Sequence, residues 1–385
     1  MKAIINTKII LEDGLIPEGA LTFDGDRIVQ CGAVSDVAIP AGTELIDAGG
    51  CYTAPGFVDV HNHGGDGAFF YDNPEKAARH FLKHGETTVL ATLYFNLDFE
   101  QTLAGMRKIR AASKTGYARI IKGLYMEGPY MNPLCGSDNK NLKWKGAIVP
   151  EEYKTIVDTA GDFVKVWCIA PEREGIEDFV RYAKEVNRSV VFSIGHSVAD
   201  NVDIFRLKRY GLINQTHHGN SEIVPGLAHS TKGVANDEVC LYDEDIYAEL
   251  ICDCNGIHVR PFMLRMVVKI KGIEKIILIT DSCPWANGKN AEDVAFGPDL
   301  AYDSEGQLSG SRLTMDDACR NMMRHTGYGL CHVIKFASAN PAKMAGLFDE
   351  VGSLEPGKKA NIILIDDMIN VKKVIFEGEE IDTNI

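Results

Sequence analysis

The first residues with chemical potential are His61 and His63. The run Ala54-Pro-Gly-Phe-Val-Asp-Val-His-Asn-His63 is an apolar strand-type stretch that ends in His-x-His and is followed at once by Gly64-Gly65-Asp66-Gly67. Alternate side chains of a strand share a face, so the two imidazoles converge. Neutral imidazole nitrogen is a good ligand for a borderline divalent ion. Taken alone, the motif reads equally well as two exposed histidines opening a loop. Four more residues of ligand type each follow an apolar run: Glu127 in Tyr-Met-Glu-Gly-Pro-Tyr, His196 in Ile-Gly-His-Ser, His217 in Gln-Thr-His-His-Gly-Asn and Asp281 in Leu-Ile-Thr-Asp-Ser. An ion held by Glu127, His196 and His217 keeps an open position for water, acidifies that water and polarises a carbonyl. Asp281 is then placed to take a proton from the water and deliver it to a leaving amine. The competing reading of Asp281 is a helix N-cap. The set suits hydrolysis of an amide or a related carbonyl–nitrogen bond.

Such a constellation needs elements that bring distant segments to one place. Between the flanks the pattern is strand, loop, helix, repeated, with strands expected at 57–60, 87–92, 119–126, 163–169, 189–194, 212–216, 247–252 and 275–280. Helices are expected at 75–84, 99–113, 151–160, 176–187, 202–210 and 261–271, and a long loop follows the sixth strand. Eight buried, branched-aliphatic strands of this kind predict an α/β fold, a (β/α)8 TIM-like barrel, over residues 54–348. An open doubly wound sheet would want a glycine-rich phosphate turn after an early strand, and none is present. Residues 315–325 and 330–339 predict two helices packing back across the barrel. In such a barrel the chemistry lies at the C-terminal ends of the strands, where all six candidate ligands fall. Residues 1–53 and 349–385 share a texture of short β runs and glycine turns, which predicts one small β-sandwich domain built from both termini.

Composition restricts the function classes. The chain has 385 residues and a net charge of −14, which argues against nucleic-acid binding. No apolar run reaches the ~20 residues of a membrane span, and no signal-peptide pattern opens the chain. Ten scattered cysteines read as reduced thiols of a cytoplasmic protein. Cys252 and Cys254 are expected as buried strand residues rather than ligands.

The order and spacing of these motifs resemble the amidohydrolase superfamily, and more closely the N-acetylglucosamine-6-phosphate deacetylase family, over nearly the whole length. The matching pieces include Ala54–His63, Met126-Glu-Gly-Pro129, Gly195-His-Ser197, Thr216-His217 with Asn220, Gly256-x-His258-Val259, Thr280-Asp281, Leu308-Ser-Gly-Ser311 and Asn340-Pro341. The resemblance implies a principal divalent metal (zinc, iron or manganese) on Glu127, His196 and His217. It implies a second ion on His61 and His63, as in those members that keep the pair, and Asp281 as proton shuttle. Asn220 and His258 would contact a small amino-sugar phosphate, and members are typically homodimers. Glu127 stands where many relatives use a carbamylated lysine, and Lys122 is expected to be structural.

Two segments depart from the family. The Gly-x-His expected after Glu-Gly-Pro is replaced by residues 134–148, with Ile148 at the histidine's place; Asn139, Lys140 or Trp144 is expected to take over recognition, the competing reading of the segment being a lid. The segment after Asn220 lacks the arginine that reaches a partner subunit's phosphate site, with Arg260 as a stand-in. The expected reaction is deacetylation of N-acetylglucosamine 6-phosphate. Alternatives are another N-acyl amine or N-acetylated sugar on the same fold, or a non-catalytic sugar-binding regulator, which would have a damaged metal set.

Overall fold

The computed structural model describes residues 1–137, 141–220, 233–285, 296–303 and 305–382. Eight parallel strands run in the order Ile276–Ile279, Tyr247–Ile251, Leu212–Gln215, Val191–Ile194, Val164–Ile169, Ile121–Glu127, Glu86–Leu93 and Phe57–Asn62. Backbone hydrogen bonds from Asp281 to the His61 carbonyl (2.9 Å) and from His63 to the Ser282 carbonyl (2.9 Å) join the last strand's exit to the first. The barrel closes at the C-terminal ends of its strands. Nearly every residue of these strands is buried. Burial on both faces is why the strands read as continuous Val/Ile/Leu runs rather than as alternations.

Helices cover the barrel from outside. In Pro74–Lys83, Asn73 caps the Lys76 amide and Pro74 occupies the first turn, where no amide hydrogen is needed. The spacing of Ala77, Ala78, Phe81 and Leu82 gives the helix one buried face. Phe99–Ala112 begins with a reciprocal cap between Asp98 and Gln101. The helix expected at 202–210 runs from Asn201 to Lys208 instead, opened by the Asp200 side chain on the Val202 and Asp203 amides. Other elements were not anticipated. The long loop after the sixth strand contains a helix, Asn236–Tyr242, and a short helix, Ala339–Met344, follows Leu330–Ala337. An antiparallel pair, Leu300–Tyr302 with Leu308–Ser311, follows the eighth strand. Asn340 explains one quoted motif: its amide donates to the carbonyls of Ile273 (2.8 Å) and Ile276 (2.7 Å), tying the chain to the foot of the eighth strand.

The terminal segments form one sheet, in which Lys2–Leu11 is flanked by Gly14–Asp24, Glu44–Asp47 and Tyr52–Pro55. Ile362–Ile365 pairs with Tyr52–Pro55, so the C-terminal return is woven directly onto the N-terminal strands. The sheet folds back on itself, since Ile28 donates to the Lys358 carbonyl (2.9 Å) and Gly357 to the Ile28 carbonyl (2.8 Å). A separate small core of Ile4, Ile9, Leu21, Phe23, Ile362 and Ile375 lies inside it. Side-chain ion pairs bind this sheet to the barrel. Lys335 meets Asp13 at 2.9 Å and also Glu274, and Lys343 meets Glu12. Lys122 reaches Glu377 at 3.0 Å, the structural use expected of it.

Candidate active site

Six buried side chains from five strands converge at the barrel mouth. His196 Nε2 lies 2.9 Å and His217 Nε2 3.3 Å from Glu127 Oε1. His63 Nε2 lies 3.2 Å from Glu127 Oε2 and 3.2 Å from Asp281 Oδ1. His61 Nε2 is 3.5 Å from Asp281 Oδ1 and 3.7 Å from Glu127 Oε1. Glu127 thus stands between two ligand triads, His61/His63/Asp281 and Glu127/His196/His217, and within each triad the ligand atoms lie within 4.8 Å of one another.

The donor chemistry fits a divalent ion. His217 Nδ1 donates to the Asn220 carbonyl at 3.1 Å, so in neutral His217 the Nε2 atom is a lone pair. That lone pair faces His196 Nε2 at 3.1 Å and the Glu127 carboxylate, a meeting of acceptors that a cation would resolve. His61 Nε2 is buried and has no hydrogen-bond partner among the described residues. Without an ion, protons take the cation's part. Burial opposes charging His63, but hydrogen bonds with Asp281 and Glu127 push it up to about 9. Burial likewise opposes charge on His217, yet Glu127 and Asp281 hold it at about 9. For His196 burial prevails and its pKa falls. Burial also works against ionised Glu127, but His196, His217 and His63 hold it well below the usual carboxylate range. Asp281 is lowered in the same way, burial being outweighed by His61 and His63. Metal binding at such a site is expected to displace protons.

The backbone is bent to make this convergence. His196, His217 and Asp281 have φ of 47°, 32° and 47°, left-handed values that cost a non-glycine residue about 1–3 kcal/mol each. Asp281 opens no helix, which removes the N-cap reading. Its carbonyl accepts from the Ser311 amide (2.8 Å), and the Ser311 hydroxyl donates to the Thr280 carbonyl (2.6 Å). Gly310 makes this approach possible, because a Cβ there would lie 2.6 Å from the Asp281 carbonyl oxygen. A Cβ on Gly136 would lie 2.7 Å from His196 Nδ1, so the segment after Glu-Gly-Pro rests directly on a ligand ring.

A small cavity opens onto the triads and is also lined by Tyr94, Phe95, Ser137, Asn220, Ser309 and Gly310. Of the residues expected to bind substrate, Asn220 lines it. His258 lies one layer behind, its ring nitrogens 3.1 Å from Asp253 Oδ2 and 3.1 Å from the Gly310 carbonyl. Arg260 is exposed at the start of helix Pro261–Lys271 and does not line the cavity. Trp144 is packed away, its indole donating to the Leu97 carbonyl at 2.8 Å. Asn139 and Lys140 lie outside the described residues. Cys252 and Cys254 are not strand residues: the strand ends at Ile251, and Asp253 folds the chain by accepting from the Asn255, Ile257 and His258 amides. His218, beside His217, is fully buried and lies 2.7 Å from Gln215. Tyr94 and Phe95 were missed, although the barrel-end rule, applied to the second strand, points to both. Ser309 was visible only inside the quoted Leu-Ser-Gly-Ser motif.

The chain belongs to the amidohydrolase family, which it matches over residues 52–381, and is thereby a hydrolytic enzyme. Among characterised relatives it is similar to an N-acetylglucosamine-6-phosphate deacetylase of Bacillus subtilis, 27% identical and covering 96% of each chain. It is also similar to an N-acetylgalactosamine-6-phosphate deacetylase of Escherichia coli O157:H7, 29% identical over 84% of this chain and 86% of that one. Among solved structures it superposes on a mutant N-acetyl-D-glucosamine-6-phosphate deacetylase of Mycobacterium smegmatis in complex with N-acetyl-D-glucosamine-6-phosphate, with a TM-score of 0.81, 25% identity and 98% coverage of both chains.

Proposed function

We propose that this chain hydrolyses the N-acetyl amide of N-acetylglucosamine 6-phosphate, giving glucosamine 6-phosphate and acetate. The observation that carries the reading is the convergence of two His/carboxylate triads on one small cavity at the barrel mouth. The relatives named above act on acetylated amino-sugar phosphates, which supports the substrate class.

In this reading Glu127, His196 and His217 hold the principal ion, and His61 and His63 take part in a second. The donor set suits zinc, iron or manganese. Bound there, the metal supplies Lewis acidity to the amide carbonyl and to water. The chain's own residues do the proton work. The Asp281 carboxylate accepts a proton from the attacking water and delivers it to the amide nitrogen as the carbon–nitrogen bond breaks, so water's oxygen leaves in acetate and its proton in the amine. The left-handed turn at Asp281 and the Ser311 contact hold that carboxylate at the cavity wall. Asn220 lines the cavity and supports a sugar contact, while His258 would act through Gly310. Arg260 is the candidate for the phosphate, and Asn139 and Lys140 are the candidates for recognition in place of the missing histidine. Family resemblance supports a homodimer, and ten free cysteines accord with a cytoplasmic setting.

The second reading, favoured by the Escherichia coli relative, is the galactosamine epimer. Acetate release by metal-loaded protein from the two 6-phosphates and from unphosphorylated N-acetylglucosamine tests both. Turnover confined to the glucosamine phosphate supports the first, and turnover confined to its epimer supports the second. Failure on every sugar with full metal loading would sink the substrate class and point to another N-acyl amine.

A further inference from the structure

Glu249 sits in the middle of the seventh strand, wholly buried, and reads in the sequence as an ordinary strand position. No lysine or arginine among the described residues makes an ion pair with it; its one ion-pair partner is His61, whose Nδ1 lies 3.4 Å from Oε2. Burying a carboxylate costs several kcal/mol unless something charged or strongly hydrogen-bonding repays it. The surroundings are built to hold it in place. The Asn214 amide donates to Oε1 and also to Ser193 Oγ at 3.0 Å, which fixes the amide's orientation. The Tyr125 hydroxyl lies 3.4 Å from Oε2 and 2.6 Å from Thr216 Oγ1, and the Tyr125 ring packs on His61 with centroids 4.5 Å apart.

The four ligand-type histidines are not supported alike. His217 Nδ1 has a backbone carbonyl. His63 Nδ1 and His196 Nδ1 have no hydrogen-bond partner among the described residues. Among the described residues only His61 has a carboxylate behind it. A carboxylate on the far nitrogen fixes the tautomer, turns the other lone pair outward and strengthens it as a donor. At His61 that outward atom is Nε2, which points at Asp281 and Glu127 with no hydrogen-bond partner among the described residues.

We infer that Glu249 is a positioning residue that prepares His61 to hold a second divalent ion, shared with His63 and Asp281. The inference rests on the metal-binding reading of the site and adds what makes the second position occupied. Glu249 does not reach the substrate; it acts through the imidazole. Losing such a partner costs about 10–100-fold in metal affinity, here confined to one of two ions.

The test is the metal content of purified protein, with zinc affinities from competition against a chromophoric chelator. Wild type is expected to bind two ions. Glu249→Gln keeps the volume and an acceptor for Asn214, and is expected to weaken one ion by about 10–100-fold while leaving the other unchanged. Glu249→Asp withdraws the carboxylate from His61 without removing its charge, and covers the case in which the glutamine variant does not fold. His61→Ala is expected to lose the same ion, and Glu249→Gln added to it is expected to change nothing more. Two ions at wild-type affinity in a folded Glu249 variant would overturn the inference. So would an equal effect of Glu249→Gln in the His61→Ala background, which would mark a general structural role. A single ion in wild type would overturn this inference alone, whereas no ion at all would overturn the metal reading with it.

Discussion

Two buried ionic clusters in this molecule solve opposite problems. At the seam between the terminal sheet and the barrel, the Lys335 side chain is only 2% exposed but its ammonium is met by Asp13, Glu274 and, at 3.9 Å, Glu12. That cluster is complete. Its carboxylates reach solvent on their outer sides, Asp13 being 82% exposed. At the barrel mouth the carboxylates of Glu127 and Asp281 are buried, and their ion-pair partners among the described residues are all imidazoles. An imidazole is a cation only when protonated, so this second cluster reaches balance by collecting protons or by holding metal. A cluster that is balanced by itself serves stability. One that is balanced only by a guest serves binding and chemistry.

The sharpest way to break this contrast is at Asp281. Asp281→Asn is expected to lower kcat by about 10²–10⁴-fold, the usual contribution of a positioned acid–base group, with an ion still bound at Glu127, His196 and His217. Acetate-release kinetics with metal analysis check it, and an active Asn variant would remove Asp281 from proton transfer. Next comes the guest itself. Stripping the metal with a chelator is expected to remove about 2.7 kcal/mol of stability for each site that had been filled at 100 times its Kd. Calorimetry should show the same drop in wild type and in Lys335→Met, because the two clusters are separate and their effects add.

Asp253 gives a pH arm. Burial alone would raise its pKa, but His258 and the Ile257 and His258 amides hold it down to about 2. A depressed carboxylate stabilises above its unfolded value of ~3.9 and loses that contribution as the pH falls towards its folded value. Asp253→Asn is therefore expected to cost about 2 kcal/mol at neutral pH and to flatten the acid limb of stability between about pH 4 and 2. The smallest effect is at the seam. Burial opposes the Lys335 charge, yet Glu274 and Asp13 hold its pKa above the ordinary lysine value. Lys335→Met is expected to cost about 1 kcal/mol, because the carboxylates left behind can hydrate. The wild-type advantage should be intact below pH ~10.4 and vanish as the pH rises through the folded value. Chemical denaturation against pH measures both arms.

Much of the site was legible because its chemistry is written at strand ends. His61, His63, Glu127, His196, His217 and Asp281 stand out as polar residues that terminate apolar runs, and a barrel has one rim to which such ends go. What supports them was not legible. Glu249, Asn214 and Tyr125 lie within strands and Thr216 just past the end of one, where the sequence shows only a polar residue beside an apolar stretch and no partner. Asn236–Tyr242 was hidden because seven residues carry too little periodicity to separate a helix from a loop. Cys254 was misplaced because the turn is made by Asp253 bonding to amides ahead of it, a local competition with the strand that composition does not reveal.

The sequence by itself determined the barrel, the weaving of both termini into one sheet and which residues are candidate ligands. Hydrophobic period and ligand type are local properties, and each survives being read one segment at a time. The tertiary structure decided which ligands share Glu127 and which imidazole has a carboxylate behind it. It also decided that the chain turns left-handed at His196, His217 and Asp281, and that Gly136 and Gly310 lie against the site. Those are distances between segments remote in the chain, and only packing sets them.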